Sequence, residues 1–328
     1  MKAAGRIALL ISLLLVAVLI GIRVGAVGLS FADIVGAFTG RADDATRSIV
    51  LGLRTPRVVL AALCGAALAL SGGTCQALLR NPLADPYILG ISSGAAVGAV
   101  GAVMLGVDNG PTWMLPVAAF AGSLVALMLV LRIATIAGEA FDSRILILAG
   151  VVVAAFGNAI VLLFLTFADV ESFRSAMFWM MGSLSGATWT RAATLGVPLV
   201  VAGVTLFGYA RSLDALAIGD TTAAALGVSV ESTKRICFVL ASLLAAVSVS
   251  VSGVVGFVGL VTPHAIRLLW GSDHRLLLPA SALLGASFLV FADLGARSMV
   301  HTAELPLGVV TALVGVPFFV MLLRRRDG

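Results

Sequence analysis

Long apolar runs broken by short polar connections account for almost the whole chain. The runs are each near the ~20 residues that cross a bilayer as helix, and they lack the strict alternation of barrel strands. They predict membrane helices over Ile7–Ile22, Arg57–Leu79, Tyr87–Leu105, Trp113–Arg132 and Ile145–Phe167. Further spans fall at Ala192–Ala210, Arg235–Ser252, Gly253–Trp270, Leu276–Val300 and Leu307–Leu323. The expected fold is an all-α polytopic membrane protein of about ten transmembrane helices, forming one domain over residues 1–328. Between the first two spans, residues 24–53 are polar, and Leu29, Ile34, Val35 and Phe38 are spaced for a short amphipathic helix at the surface.

Composition agrees. The chain is 60% hydrophobic and 11% charged, with mean hydropathy +1.14, whereas soluble domains carry roughly 25% charged residues. Lys2 and Arg6 precede the first run, and no small-residue cleavage site closes it, so it reads as a helix entering from the cytoplasm. An even number of spans returns the chain to Arg324, Arg325 and Arg326, placing both termini in the cytoplasm. The net charge of +5 is scattered through loops without aromatic interleaving, which argues against nucleic acid. Lys2 and Lys234 are the only lysines and neither sits in GxxxxGK[ST], so ATP hydrolysis would belong to another chain.

Candidate metal chemistry is thin. Cys64 and Cys75 lie about 16 Å apart on one helix, too far to bridge, and with Cys237 they read as small buried hydrophobes. His264 and His274 are separated by a helix end and belong to no HExxH or CxxC pattern, so they read as structural; His301 stands alone on the external side, where an axial haem ligand is conceivable. No metal site is expected. Six arginines (Arg41, Arg47, Arg54, Arg57, Arg174 and Arg297) face outward, against the positive-inside trend. They either pair with Asp33, Asp43, Asp44, Asp169, Glu171 and Glu304 or form a docking surface for an acidic partner; Arg297 can also pair with Asp293 one turn away.

Three connections carry further signals. In RNPLADPYILGISSGAAVG the prolines make Asn81 and Asp85 extended or turning, and Gly94 and Gly98 allow close helix approach. In GEAFDSR, Asp142 is a good N-cap for the helix that follows. In SLDALAIGDTTAAALGVSVESTKR, two short helices turn at Gly219 and end at Gly227, a compact knob too small to bury much alone and so suited to a partner surface. Asn158, strongly polar within a long apolar stretch, either lines a water-filled path or bonds a neighbouring helix. The aromatic and methionine-rich run after that span (Phe173, Met177, Phe178, Trp179, Met180, Met181) suits an interfacial belt or a bulky apolar mouth.

The strings NPLADPYILGISSGA, RTPR at Arg54–Arg57, SRILILAG, FWMMGSLSG, GFVGLVTPHAIR with DHRLLLP, and DLGARSMVHTAELP together resemble the BtuC-like (FecCD) permeases. These are membrane subunits of ABC importers for iron–siderophore chelates, haem and cobalamin. The resemblance rests on Asn81, Pro82, Asp85, Pro86, Gly90, Ser92, Gly94, Pro263, His264 and Arg267. It implies a homodimer in the bacterial cytoplasmic membrane, two ABC ATPase subunits carrying ATP and Mg, and a periplasmic or lipid-anchored binding protein, with no cofactor on this chain. By the same resemblance Arg54, Arg57 and Arg297 would dock the binding protein, and Asp142 and Ser143 would form the cytoplasmic gate, although Asp142 is more acidic than the family's usual residue. Leu213, Asp214, Leu216, Gly219, Asp220, Thr221, Leu226 and Gly227 would couple to the ATPase. An iron chelate is the expected cargo, with cobalamin as the alternative. A stand-alone ion-coupled carrier would instead need titratable groups at membrane depth and an inverted repeat, and neither is found.

Overall fold

A computed structural model describes residues 3–25, 27–107, 110–138, 141–299 and 304–324, with side chains up to residue 321. His301, Lys2, Arg325 and Arg326 lie outside the described residues. The elements are α1 (Ala3–Arg23), α2 (Phe31–Thr39), α3 (Asp44–Arg47), α4 (Thr55–Leu78), α5 (Ile91–Met104), α6 (Met114–Ile136), α7 (Ser143–Phe167) and α8 (Val170–Met180). They continue with α9 (Trp189–Gly208), α10 (Ala210–Ile218), α11 (Asp220–Ala225), α12 (Val230–Ser252), α13 (Val258–Trp270), α14 (His274–Ser298) and α15 (Leu307–Arg324). Seven of the described helices are long and apolar enough to cross a membrane, while α5 and α15 are shorter apolar helices.

The interior is built on α4. Its small residues let neighbours come to backbone contact: a Cβ at Gly65 would strike the Gly285 carbonyl of α14, and one at Gly72 the Gly259 carbonyl of α13. The window over α4 is 78% buried against 22% for α9 and 33% for α7, so α4 is core and the other two present a face outward. Helices α1, α13, α14 and α15 gather on one side of α4; α5, α6 and α7 form a second group, and α12 joins the two. In that second group Gly94 and Gly98 meet α6, because side chains there would strike the Gly122 and Ala118 carbonyls.

Two spans differ from the sequence expectation. Residues 44–54 are not a loop: they form α3 and a wide π-type stretch, Ser48–Arg54, that runs straight into α4. The wide register explains how a helix passes Pro56. Residue 56 would serve the Leu51 carbonyl, proline has no amide, and the Trp189 indole donates to that oxygen at 3.1 Å. The other difference is at Gly253, where a helix was expected at once; an extended segment precedes α13, and Phe257 adopts a left-handed φ of 69°. A side chain at Gly315 of α15 would sit 2.6 Å from the Phe257 Cβ, so the glycine makes room for that turn.

Helices α5 and α13 have 14 and 13 residues. At 1.5 Å per residue each covers only about 20 Å of a ~30 Å core. The irregular stretches ahead of them lie buried in protein, as non-helical backbone at that depth must be.

Candidate functional site

Gln76, in the last turn of α4, joins the irregular stretch ahead of α5 to the first turn of α13. Its side-chain nitrogen lies 3.4 Å from the Ala84 carbonyl, 3.4 Å from that of Gly259 and 3.2 Å from that of Leu260, and its oxygen accepts from Arg267 at 2.9 Å. The Ala84 carbonyl, outside any helix, and that of Gly259, whose intrahelical donor is replaced by Pro263, thus find a donor. The polar groups of NPLADP and GFVGLVTPH meet here, which no reading of either string alone reveals. A single amide near the end of an apolar helix was the available signal. Within the first string Asn81 closes a turn by accepting from the Leu83 amide, and Asp85 is extended and accepts from the Tyr87 amide to start a 3-10 turn at Pro86. Gly90 ends that turn with φ 76° and opens α5, where Ser92 and Gly94 follow. Pro263 and His264 are buried in α13, with the His264 ring 5.9 Å from that of Phe319. His274 belongs to a separate constellation.

At the external end the arginines are turned inward. Arg54, 8% exposed, donates to the carbonyls of Ile22, Arg23 and Val27. Arg57 lies between Asp293 at 2.9 Å and Glu304 at 2.9 Å. Arg297 pairs with Asp293 at 3.3 Å and donates to the carbonyls of Val24 and Gly21. These three side chains therefore rivet the ends of α1, α4 and α14 to the α14–α15 connection. That is a different placement from the exposed docking surface expected, and the reason is local: an acid on α14 and the carbonyls ending α1 claim the guanidinium donors. Arg57 keeps an outward-facing partner, since Glu304 is 48% exposed. The Arg57 hydrogen bonds hold the Glu304 carboxyl below its usual range. Of the other external acids, Asp33, Asp43 and Asp169 accept from amides of their own helices α2, α3 and α8 rather than meeting arginine, and those bonds lower their carboxyls too.

At the cytoplasmic end the knob is α10 and α11, turning at Gly219 and ending at Gly227 with φ 81°. Leu213 and Leu216 are 0% and 1% exposed and anchor it to the helices beneath. Its carboxylates also point at the body. Asp214 Oδ1 lies 2.5 Å from His274 Nδ1 and accepts from the His274 amide at 3.0 Å, tying α10 to α14. Asp220 Oδ2 is 2.7 Å from Lys234 Nζ and 3.2 Å from Arg80. The large outward side chains at its tip are apolar, Ile218 at 72% exposure and Leu226 at 67%, with Thr221 and Thr222 exposed between them and Arg211 exposed at the start of α10. Ile218 was missing from the expected coupling set. Its signal was an isoleucine next to the turning glycine.

The connection into α7, where the cytoplasmic gate was expected, lies beside the knob. Asp142 caps α7, accepting from the amides of Arg144 and Ile145. Those amides, that of Ile145 foremost, hold its carboxyl below the usual range. Ser143 donates to the Leu78 carbonyl at 3.1 Å, completing the end of α4. Asn158 sits on the outward face of α7 with no side-chain hydrogen bond among the described residues. A primary amide facing hydrocarbon would leave its donors unmet, so this face requires water or a polar partner.

Comparison with known proteins follows the same lines. The sequence profile of the FecCD transport family matches residues 13–325. The chain is 45% identical to the "Cobalamin import system permease protein BtuC" of Halobacterium salinarum over 86% of this chain and 75% of that protein. It is 40% identical to the "Uncharacterized ABC transporter permease protein YvrB" of Bacillus subtilis over 96% of this chain and 92% of that one. Among solved structures, "An inward-facing conformation of a putative metal-chelate type ABC transporter" superposes with TM-score 0.88 at 31% identity, covering 97% of this chain and 98% of that one.

Proposed function

The chain belongs to the FecCD transport family and is a membrane permease subunit of an ABC importer; from that premise we propose that it works as a homodimer with two ATPase subunits and an external binding protein. The ATPases bind ATP and Mg and dock on the cytoplasmic knob. The observation that carries this reading is the apolar tip made by Ile218 and Leu226 on a knob whose Leu213, Leu216, Asp214 and Asp220 are committed to the body. An exposed apolar patch held that firmly suits a partner groove. The second copy faces α7 and α15, whose outward sides are apolar among the described residues save for Arg144, Asn158 and Thr166 of α7. The path runs between the copies, with Asp142 and Ser143 at its cytoplasmic end. Location in the bacterial cytoplasmic membrane with knob and termini inside completes the reading.

The cargo is a metal chelate. An iron chelate is the expectation from the sequence, and cobalamin is supported by the printed name of the 45%-identical relative. Titrating the cognate binding protein with both separates them. For docking, Arg57 can exchange Glu304 for an acidic residue of the binding protein without disturbing Asp293.

The test is the double variant Ile218→Asp, Leu226→Asp. ATPase subunits should no longer co-purify with it, while its yield and monodispersity in detergent match the parent chain. Retained ATPase at the parent ratio would overturn the knob assignment.

A further inference from the structure

Lys234 lies in the second turn of α12 and is the lysine buried within the body, its side chain 8% exposed. An ammonium in such a place is tolerated only when its hydrogens meet good acceptors. Two acceptors are present, and they come from different parts of the cytoplasmic face. One is Asp220 Oδ2 at 2.7 Å, in the first turn of α11 and so part of the knob. The other is the backbone carbonyl of Phe141 at 3.2 Å, in the connection that leads into Asp142 and Ser143.

We infer that Lys234 is the positioning residue that transmits movement of the knob to the gate connection, through one ammonium shared between the Asp220 carboxylate and the Phe141 carbonyl. The inference rests on the assignment of knob and gate given above. Its physical basis is the cost of leaving either side. If a docked partner displaces α11, the buried ammonium either follows the carboxylate and draws the carbonyl with it, or gives up a charge-assisted hydrogen bond for one to water in the adjoining cavity. Because the second acceptor is main chain, the pull is delivered to the backbone path of the connection rather than to one side chain.

The surroundings suit such movement. A cavity of ≈ 480 Å³ opens here, lined by Gly138, Phe141, Asp142, Asp220, Glu231 and Lys234, and leaves room beside the connection. Gly138 at its edge has φ 92°, a conformation from which a glycine can swing at small cost. The flanks are fixed: Ser143 is held to Leu78 at the far side of the gate, and Asp214 holds α10 to His274. The Arg80–Asp220 contact at 3.2 Å joins side chains 38% and 37% exposed, so it steers Asp220 without sharing the buried cost.

The test uses the complete importer, with ATPase and binding protein, in proteoliposomes, reading ATP hydrolysis and cargo uptake together. Lys234→Met keeps the stem and removes the charge. It should hold ATPase subunits at the parent ratio and hydrolyse ATP within about two-fold of the parent, while cargo moved per ATP falls about ten-fold. Lys234→Arg, which can reach both acceptors, should recover part of that ratio. A purely structural lysine would lower yield, hydrolysis and uptake in step, and that result, or an unchanged cargo-to-ATP ratio, overturns the proposal. A measurement that leaves Lys234 in place guards against a variant that fails to fold. Spin labels at Phe141→Cys, which keeps the main-chain carbonyl, and Thr222→Cys should keep their spacing between nucleotide-free and ATP-bound states while both move relative to α4; a spacing that changes with nucleotide overturns the relay. Failure of the parent chain to bind any ATPase would instead sink the knob assignment itself.

Discussion

At the external end Asp293 is 2% exposed and is gripped by Arg57 and Arg297, at 14% and 8%, whereas at the cytoplasmic end Asp220 is 37% exposed and is shared between buried Lys234 and half-open Arg80. The first cluster binds helix ends to one another; the second borders a cavity of ≈ 480 Å³ between a knob and a connection. Charges of equal kind thus serve opposite ends. Where the acid is enclosed and doubly paired, separation would strand buried charge, and the helix ends stay together. Where the acid is half open and its lysine also donates to a main-chain carbonyl, the acid has water within reach and rearrangement costs less. The asymmetry places deformability on the side where nucleotide energy would enter.

Three substitutions break or sharpen that contrast. The largest effect is expected for Asp293→Ala, which leaves two buried guanidiniums facing each other and should destabilise the protein by about 3–5 kcal/mol. It is read as lost thermal stability in detergent, and a loss below about 1 kcal/mol, typical of a surface pair, would show that the external cluster is no rivet. Next is Asp142→Ala, which removes the α7 cap and should cost about 1 kcal/mol. Its pH dependence has a definite sign. The folded carboxyl titrates below its usual range, so its stabilisation is full at neutral pH and is lost as pH falls from about 4 through the lower folded value. The stability difference between the parent and Asp142→Asn should therefore shrink on acidification; a constant difference counts against the cap. The smallest effect is expected for Glu304→Gln, at most about 1 kcal/mol because the carboxylate is nearly half exposed. If Arg57 receives an acid of the binding protein, the same variant should tighten that complex, measured by titration at low salt. Weaker binding would assign the docking contact to Glu304 instead.

Much of this was legible in the chain. Long apolar runs gave the membrane helices to within a few residues because hydrocarbon thickness leaves little choice of length. The turn at Gly219 and stop at Gly227 followed from local chemistry, as did the Asp142 cap and the Asp293–Arg297 spacing. The start of α13 was not legible, because Gly253–Phe257 is as apolar as a helix and the left-handed turn at Phe257 needs the room left by Gly315, 58 residues further on. Nor was the inward turn of Arg54: composition places an arginine near a membrane face, but only the ends of α1 decide where its five donors go. The leucines of the knob were legible as apolar, yet which of them face the body is a tertiary matter; burial takes Leu213 and Leu216 and leaves Ile218 and Leu226 outside.

The seam between α4 and α14 has one more consequence. With Gly65 and Gly285 facing each other there is no side chain between the two backbones to slip past a neighbour or change rotamer. Such a pair behaves as one beam: it can tilt as a body but cannot slide along itself without driving a carbonyl into a Cα. Any change of shape that alternates access must be found in the helices that surround the beam, and a chain so built can cycle many times with its centre undisturbed.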